Sequence, residues 1–154
     1  MRNLGLCFLG LILGWLPLVA QPLAPRVVRP IASVERVLIV SIDGLRPDLA
    51  LLADMPNLHA LARSGTYTFW ARTTAVAITL PSHTSMVTGV PPEIHGIDWN
   101  TDITPVRFPA VPTIFELARR AGYTTGMVAG KTKFAALNRP GTLSFPSIPV
   151  EGQD

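Results

Sequence analysis

Cysteine is almost missing from this chain. The one thiol, Cys7, sits in an apolar leader, so without that leader the chain has nothing to pair in a disulfide even if it is exported. Clustered positive charge is missing too. The net charge is +3 and eleven of the thirteen basic residues are Arg, but only Arg119 and Arg120 are adjacent. A phosphate-backbone footprint needs basic groups on one face, so this scatter argues against nucleic-acid binding. There are three histidines, and none has zincin spacing. No Gly-x-Ser-x-Gly elbow and no Gly-x-Gly-x-x-Gly loop occurs, which leaves serine hydrolases and dinucleotide binders without positive support. Gly126 to Thr132 resembles a Walker A loop, but it is one residue too short for the phosphate cradle, and Thr125 occupies the place of its first glycine.

What is present is an apolar, turn-rich chain of 154 residues, 48% hydrophobic, with mean hydropathy +0.36, fifteen Pro and twelve Gly. That length suggests one folded domain, and the hydrophobic content excludes a disordered polypeptide. Residues 1–20 read as a secretory signal peptide: Arg2, then an apolar run from Leu4 to Val19, then Ala20 as a cleavage position. The run is shorter than the roughly 20 residues a spanning helix needs, so no stable membrane anchor is expected. Export to a periplasmic or extracellular space follows. Residues 21–35, with Pro22, Pro25 and Pro30, read as an extended linker.

The folded part begins with Arg36 to Ile42, a continuous β-branched run predicted to be a central parallel strand buried on both faces. Asp43-Gly44 ends it, placing a carboxylate where open α/β sheets hold ligands. An Asp-Gly turn explains the glycine but not the carboxylate. Short helices are predicted over Pro47–Ala53 and Pro56–Ser64. In the second, Leu58, Leu61 and Ala62 form the buried stripe, and His59 is off it and exposed. Thr66 to Thr73 has strand composition. Pro81 suits a first helical position, Ser82 to Thr88 can follow as helix, and Gly89 stops it, so Thr79 is expected immediately before a helix N-terminus. Residues 90–112 read as mostly loop. Thr113 and Glu116 make a capping box for a helix that Gly122 ends. Residues 123–129 read as another buried strand, and 138–154 as an irregular tail. The alternation of strands and helices makes this an α/β chain with a mostly parallel sheet.

Several ordered segments then carry a resemblance. They are Val-Ser-Ile-Asp-Gly at 40–44, Met-Pro-Asn-Leu-His-Ala-Leu at 55–61, Thr-Leu-Pro-Ser-His-Thr-Ser-Met-Val-Thr-Gly at 79–89 and Pro-Pro-Glu-Ile-His-Gly-Ile at 91–97. Asn100, Ala-Gly-Tyr at 121–123 and Gly-Lys at 130–131 complete the set. Together they resemble the type I phosphodiesterase/nucleotide pyrophosphatase family, within the alkaline phosphatase superfamily. The resemblance covers residues 35–137, and the matching domain is taken as 36–137. It implies an alkaline-phosphatase-like fold with flanking helices, a phosphate-ester substrate of the nucleotide or phospholipid-headgroup class, and two divalent metals, usually zinc. By position, Asp43 resembles a ligand of one metal, Thr79 the nucleophile and a ligand of that same metal, and Asn100 the side chain that contacts a non-bridging phosphate oxygen. Metal coordination is a plausible activation of a hydroxyl that is otherwise a poor nucleophile. Without the resemblance, Thr79 reads as a helix N-cap.

Ser82 stands where the family often has Asn, and His83 and His95 read as structural, fixing loops by hydrogen bonds. Thr79-Leu-Pro-Ser-His lacks the Cys/Ser-x-Pro-x-Arg setting of the related sulfatases. The family's later ligands, an Asp with a His four residues on, an Asp-His pair and a final His, have no counterpart after Asn100. The chain is therefore expected to be the N-terminal part of a longer enzyme with an incomplete fold, or alternatively a catalytically inactive truncated product.

Overall fold

The computed structural model describes residues 34–150. The predicted signal peptide and most of the linker lie outside them.

Five α-helices and two strands follow in order: α1 (Pro47–Leu52), α2 (Pro56–Ser64), α3 (Thr79–Thr88), α4 (Pro92–His95), α5 (Ile114–Arg120), β1 (Gly126–Val128) and β2 (Phe145–Ser147). A 3-10 helix, Thr132–Leu137, lies between the strands. Proline and glycine set most of the helix limits. Pro47, Pro56 and Pro92 open α1, α2 and α4, where the missing N–H costs no helical bond. Gly89 and Gly96 close α3 and α4 at φ 74° and 73°, left-handed values that a Cβ would disfavour. Thr113 caps α5, accepting from the Glu116 N–H at 3.4 Å as the capping pattern predicts.

The packing centre is α3. It contacts α4, α5 and the 3-10 helix. Leu80 of α3, Ile97 and Ala136 form the buried cluster, with Trp99 and Phe134 packed against it. His95 is completely buried beside this cluster. Its Nδ1 accepts from the Ile97 N–H at 3.1 Å, so Nε2–H donates to Ser85 Oγ at 2.9 Å and ties α4 to α3.

β1 and β2 pair in parallel, with Gly126 opposite Phe145 and Val128 opposite Ser147. Residues 129–144 make the long crossover that parallel strands require. Pro146 has no N–H to give a ladder, which suits a strand whose one partner among the described residues is β1. α1, α2 and Tyr67–Phe69 line an open apolar pocket of about 230 Å³.

Several sequence expectations change here. Arg36–Ile42 is extended but joins no sheet among the described residues, and Val37, Leu38, Ile39 and Val40 are 76%, 86%, 61% and 71% exposed. A central strand needs a partner on each edge and a layer on each face, and the described residues supply neither. Thr66–Thr73 forms no strand for the same reason, and Trp70 is exposed. The strand predicted over 123–129 shortens to β1, and the tail expected to be irregular supplies its partner β2. The loop at 90–112 includes α4. Leu61 faces solvent, whereas His59 is half-buried and donates from Nε2 to the Ala50 carbonyl at 3.0 Å, joining α2 to α1.

Burial holds the His95 imidazole below its ordinary pKa, because the charged form loses its hydration. A depressed histidine favours folding above the unfolded value near 6.5 and loses that contribution as pH falls through it towards the folded pKa. Denaturation of the full chain should therefore show stability falling below pH 6.5. His95→Leu should flatten that part of the profile while lowering stability at pH 8 by about 2 kcal/mol, since it strands the Ser85 hydroxyl and the Ile97 N–H.

Candidate functional site

The site is built on the first turn of α3. Helix formation begins at Thr79 itself, with Ile78 as its cap, so Thr79 is the first helical residue and Pro81 the third. The first-turn N–H groups have no partner inside the helix. Asn100 serves one of them: its Oδ1 accepts from the Leu80 N–H at 2.9 Å. Because a backbone N–H can only donate, the oxygen of the amide must face the helix, and the Nδ2 donor end is left for another group.

Thr79 Oγ1 donates to Asp43 Oδ2 at 3.3 Å. Asp43 is reached because residues 36–42 run past the start of α3, where His83 holds them. His83 Nδ1–H donates to the Thr79 carbonyl at 2.7 Å, one helical turn back, and Nε2 is hydrogen-bonded to Ser41 Oγ at 2.8 Å. His83 therefore fixes Ser41, two residues before Asp43, to the same turn that carries Thr79. Both His83 and His95 hold loops by hydrogen bonds, as expected from the sequence.

Three consecutive residues after β1 close the other side. Lys131 Nζ donates to Asp43 Oδ2. Thr132 Oγ1 donates to Asp102 Oδ2 at 2.6 Å. Lys133 Nζ donates to the Asn100 carbonyl at 2.8 Å and to its Oδ1 at 3.2 Å. The near-Walker segment thus binds two carboxylates through Lys131 and Thr132. These contacts were not legible in the sequence. The one hint was compositional: residues 131 and 133 are the only lysines in a chain whose other basic residues are all Arg.

The three residues singled out from the sequence, Asp43, Thr79 and Asn100, therefore meet at one helix start. The Lys131 ammonium, donating to Asp43, holds its carboxyl below the ordinary carboxylate range, with burial pulling the other way. For a divalent metal, Asp43 and Thr79 offer two oxygens. Among the described residues no group of three His, Cys, Asp or Glu could hold a metal. Catalytic zinc takes at least three protein ligands, so these residues do not complete a metal centre.

The family model described as type I phosphodiesterase/nucleotide pyrophosphatase matches residues 37–119, which is more than half of the chain. The chain belongs to that family. Bis(5'-adenosyl)-triphosphatase of Mus musculus is 36% identical over 70 residues, 46% of this chain and 15% of that protein. Ectonucleotide pyrophosphatase/phosphodiesterase family member 7 of Homo sapiens is 37% identical over 84 residues, 53% of this chain and 18% of that protein. An uncharacterized pyrophosphatase/phosphodiesterase of Schizosaccharomyces pombe is 37% identical over 70 residues, 46% of this chain and 14% of that protein. The matched stretch thus spans less than a fifth of each relative. No solved structure matches the chain significantly.

Two measurements check this geometry. Carbon-detected NMR titration of Asp43 should give a midpoint below 3.8 that moves up in Lys131→Met, since the substitution removes the ammonium that favours the carboxylate. Asn100→Ala should cost about 1 kcal/mol in denaturant unfolding, the usual effect of deleting a side-chain acceptor at a helix start.

Proposed function

We propose that this chain carries the nucleophile side of an exported phosphodiesterase/nucleotide pyrophosphatase site with an alkaline-phosphatase-like fold. The observation that carries the reading is the placement of Thr79 Oγ 3.3 Å from Asp43 Oδ2, with Asn100 bound to the very next N–H of the same helix. Family membership supports it, and the activities named for the relatives support a phosphate ester of the nucleotide class as substrate. A phospholipid headgroup is the other ester class consistent with the family.

In this reading Thr79 Oγ attacks phosphorus. Its bond to phosphorus forms as the bond to the leaving alcohol or nucleotide breaks, and the hydroxyl proton reaches the leaving oxygen through solvent. Water then attacks the phosphothreonine, restoring the threonine hydroxyl and releasing phosphate product. The Asn100 Nδ2–H donates to a non-bridging oxygen, where a fixed donor favours the developing charge. His83 holds the backbone of Thr79, and the Leu80 N–H bond holds Asn100, so both act before substrate arrives. Asp43 and Thr79 are the residues proposed to hold one of two divalent cations, which would supply Lewis-acid stabilisation of the oxyanions. The described residues do not complete that cation's ligand set, and no step here is routed through it.

The leader at 1–20 is proposed to direct export. Among the described residues no helix is long and apolar enough to cross a membrane.

The test is hydrolysis of a chromogenic phosphodiester by the purified full chain with added zinc. Thr79→Ala should lose at least about 100-fold in kcat, and Thr79→Ser should recover part of it, because only an attacking hydroxyl is restored. Unchanged turnover in Thr79→Ala would remove Thr79 from the mechanism. Absence of turnover in the unaltered chain would overturn the activity.

A further inference from the structure

The Asn100 amide has one orientation that serves the reaction. Its Nδ2 end has to face outward to donate to a phosphate oxygen, so Oδ1 has to be held from behind. The Leu80 N–H supplies one donor to Oδ1 at 2.9 Å. One bond fixes the oxygen but not the plane of the amide, whose terminal torsion is broad. Lys133 Nζ supplies a second donor to Oδ1 at 3.2 Å and also donates to the Asn100 carbonyl at 2.8 Å. A backbone N–H and an ammonium are donors only, so both neighbours reject the amide turned the other way.

We propose that Lys133 is a positioning residue for phosphoryl transfer, locking the Asn100 amide with its Nδ2–H toward the phosphate. The inference rests on the reading of Asn100 as donor to a non-bridging phosphate oxygen.

The partners of Lys133 argue for this role over one in stability alone. Lys133 is half-buried, and no carboxylate pairs with it among the described residues. A partly desolvated ammonium is best repaid by an anion, because neutral acceptors return less of the lost hydration. Asp102, two residues beyond Asn100, is such an anion, but its Oδ2 accepts from Thr132 Oγ1 at 2.6 Å. The ammonium is directed instead to the two oxygens of Asn100. Its own place is fixed from both sides. Thr132 is held by Asp102, and Phe134 packs on the Leu80 cluster and stands edge-on to His83, ring centroids 5.0 Å apart. His83 in turn bonds the Thr79 carbonyl. The start of the 3-10 helix therefore sets Asn100 relative to the turn that carries the nucleophile. The charge has a second effect. A cation at the amide oxygen polarises the amide and strengthens Nδ2–H as a donor.

The test is kinetics of the full chain on a chromogenic phosphodiester, with Lys133→Met, Lys133→Arg, Asn100→Ala and the double variant Lys133→Met/Asn100→Ala beside the unaltered protein. Asn100→Ala should lose about 100-fold in kcat, as expected for removal of one oxyanion donor. Lys133→Met should lose about tenfold in kcat with KM little changed, because the donor remains but is misaimed. Lys133→Arg should recover part of that loss, since a guanidinium can again donate to both oxygens. In the Asn100→Ala background, Lys133→Met should have almost no further effect, because a residue that acts through Asn100 then has nothing to position. In NMR spectra the side-chain amide protons of Asn100 should shift in Lys133→Met and return towards their original positions in Lys133→Arg. Unchanged kcat in Lys133→Met, an equal loss in both backgrounds, or amide signals that stay in place overturns the positioning role and leaves the reaction standing. No turnover by the unaltered chain overturns the reaction and the role with it.

Discussion

The Leu80 N–H bonded to Asn100 Oδ1 is the contact on which the rest of the site depends. A helix start has donors with no internal partner, and a loop side chain that supplies an acceptor is drawn to it. Here the acceptor comes from 20 residues further along the chain. By filling one donor it seats the loop after α4 on α3, turns the amide of Asn100 so that its nitrogen faces away from the helix, and leaves the neighbouring Thr79 hydroxyl to reach Asp43. Leu80 also contributes its completely buried side chain to the core, so the same residue anchors the packing and the polar site.

Around that contact the charged and polar groups are arranged as mutual supports. His83 links Ser41 to Thr79, Lys131 links the turn after β1 to Asp43, and Lys133 secures Asn100 from behind. The exposed Lys131–Asp43 pair contributes little stability alone, because exposed ion pairs recover little beyond what water already provides. The effect of these contacts is positional. Each holds a segment that would otherwise have few apolar contacts, and residues 36–43 are the extreme case: an exposed apolar run held near the helix by two polar contacts at its end.

Much of the local structure was legible in the sequence because it is set by short-range chemistry. Pro47, Pro56 and Gly89 announced helix limits through the backbone angles they require or forbid, and Thr113 with Glu116 announced α5. The strands were misread because their evidence is not local. Arg36–Ile42 has the composition of a buried strand, yet composition states only what a segment could bury, not whether a partner is there to bury it against. β2 was missed for the converse reason: Phe145-Pro146-Ser147 has little strand character, and it pairs because the crossover returns it beside Gly126.

The sequence by itself determined the family, the helices α1, α2, α3 and α5, and the three residues Asp43, Thr79 and Asn100 as candidates, since ordered motifs and turn residues act within a few positions of one another. Only the tertiary structure decided that these three meet at one turn of α3, and that Lys131 and Lys133 close on two of them. Lys131 and Asp43 are 88 positions apart. No periodicity spans that distance, and only the return of the chain past the start of α3 puts the ammonium and the carboxylate within reach of each other.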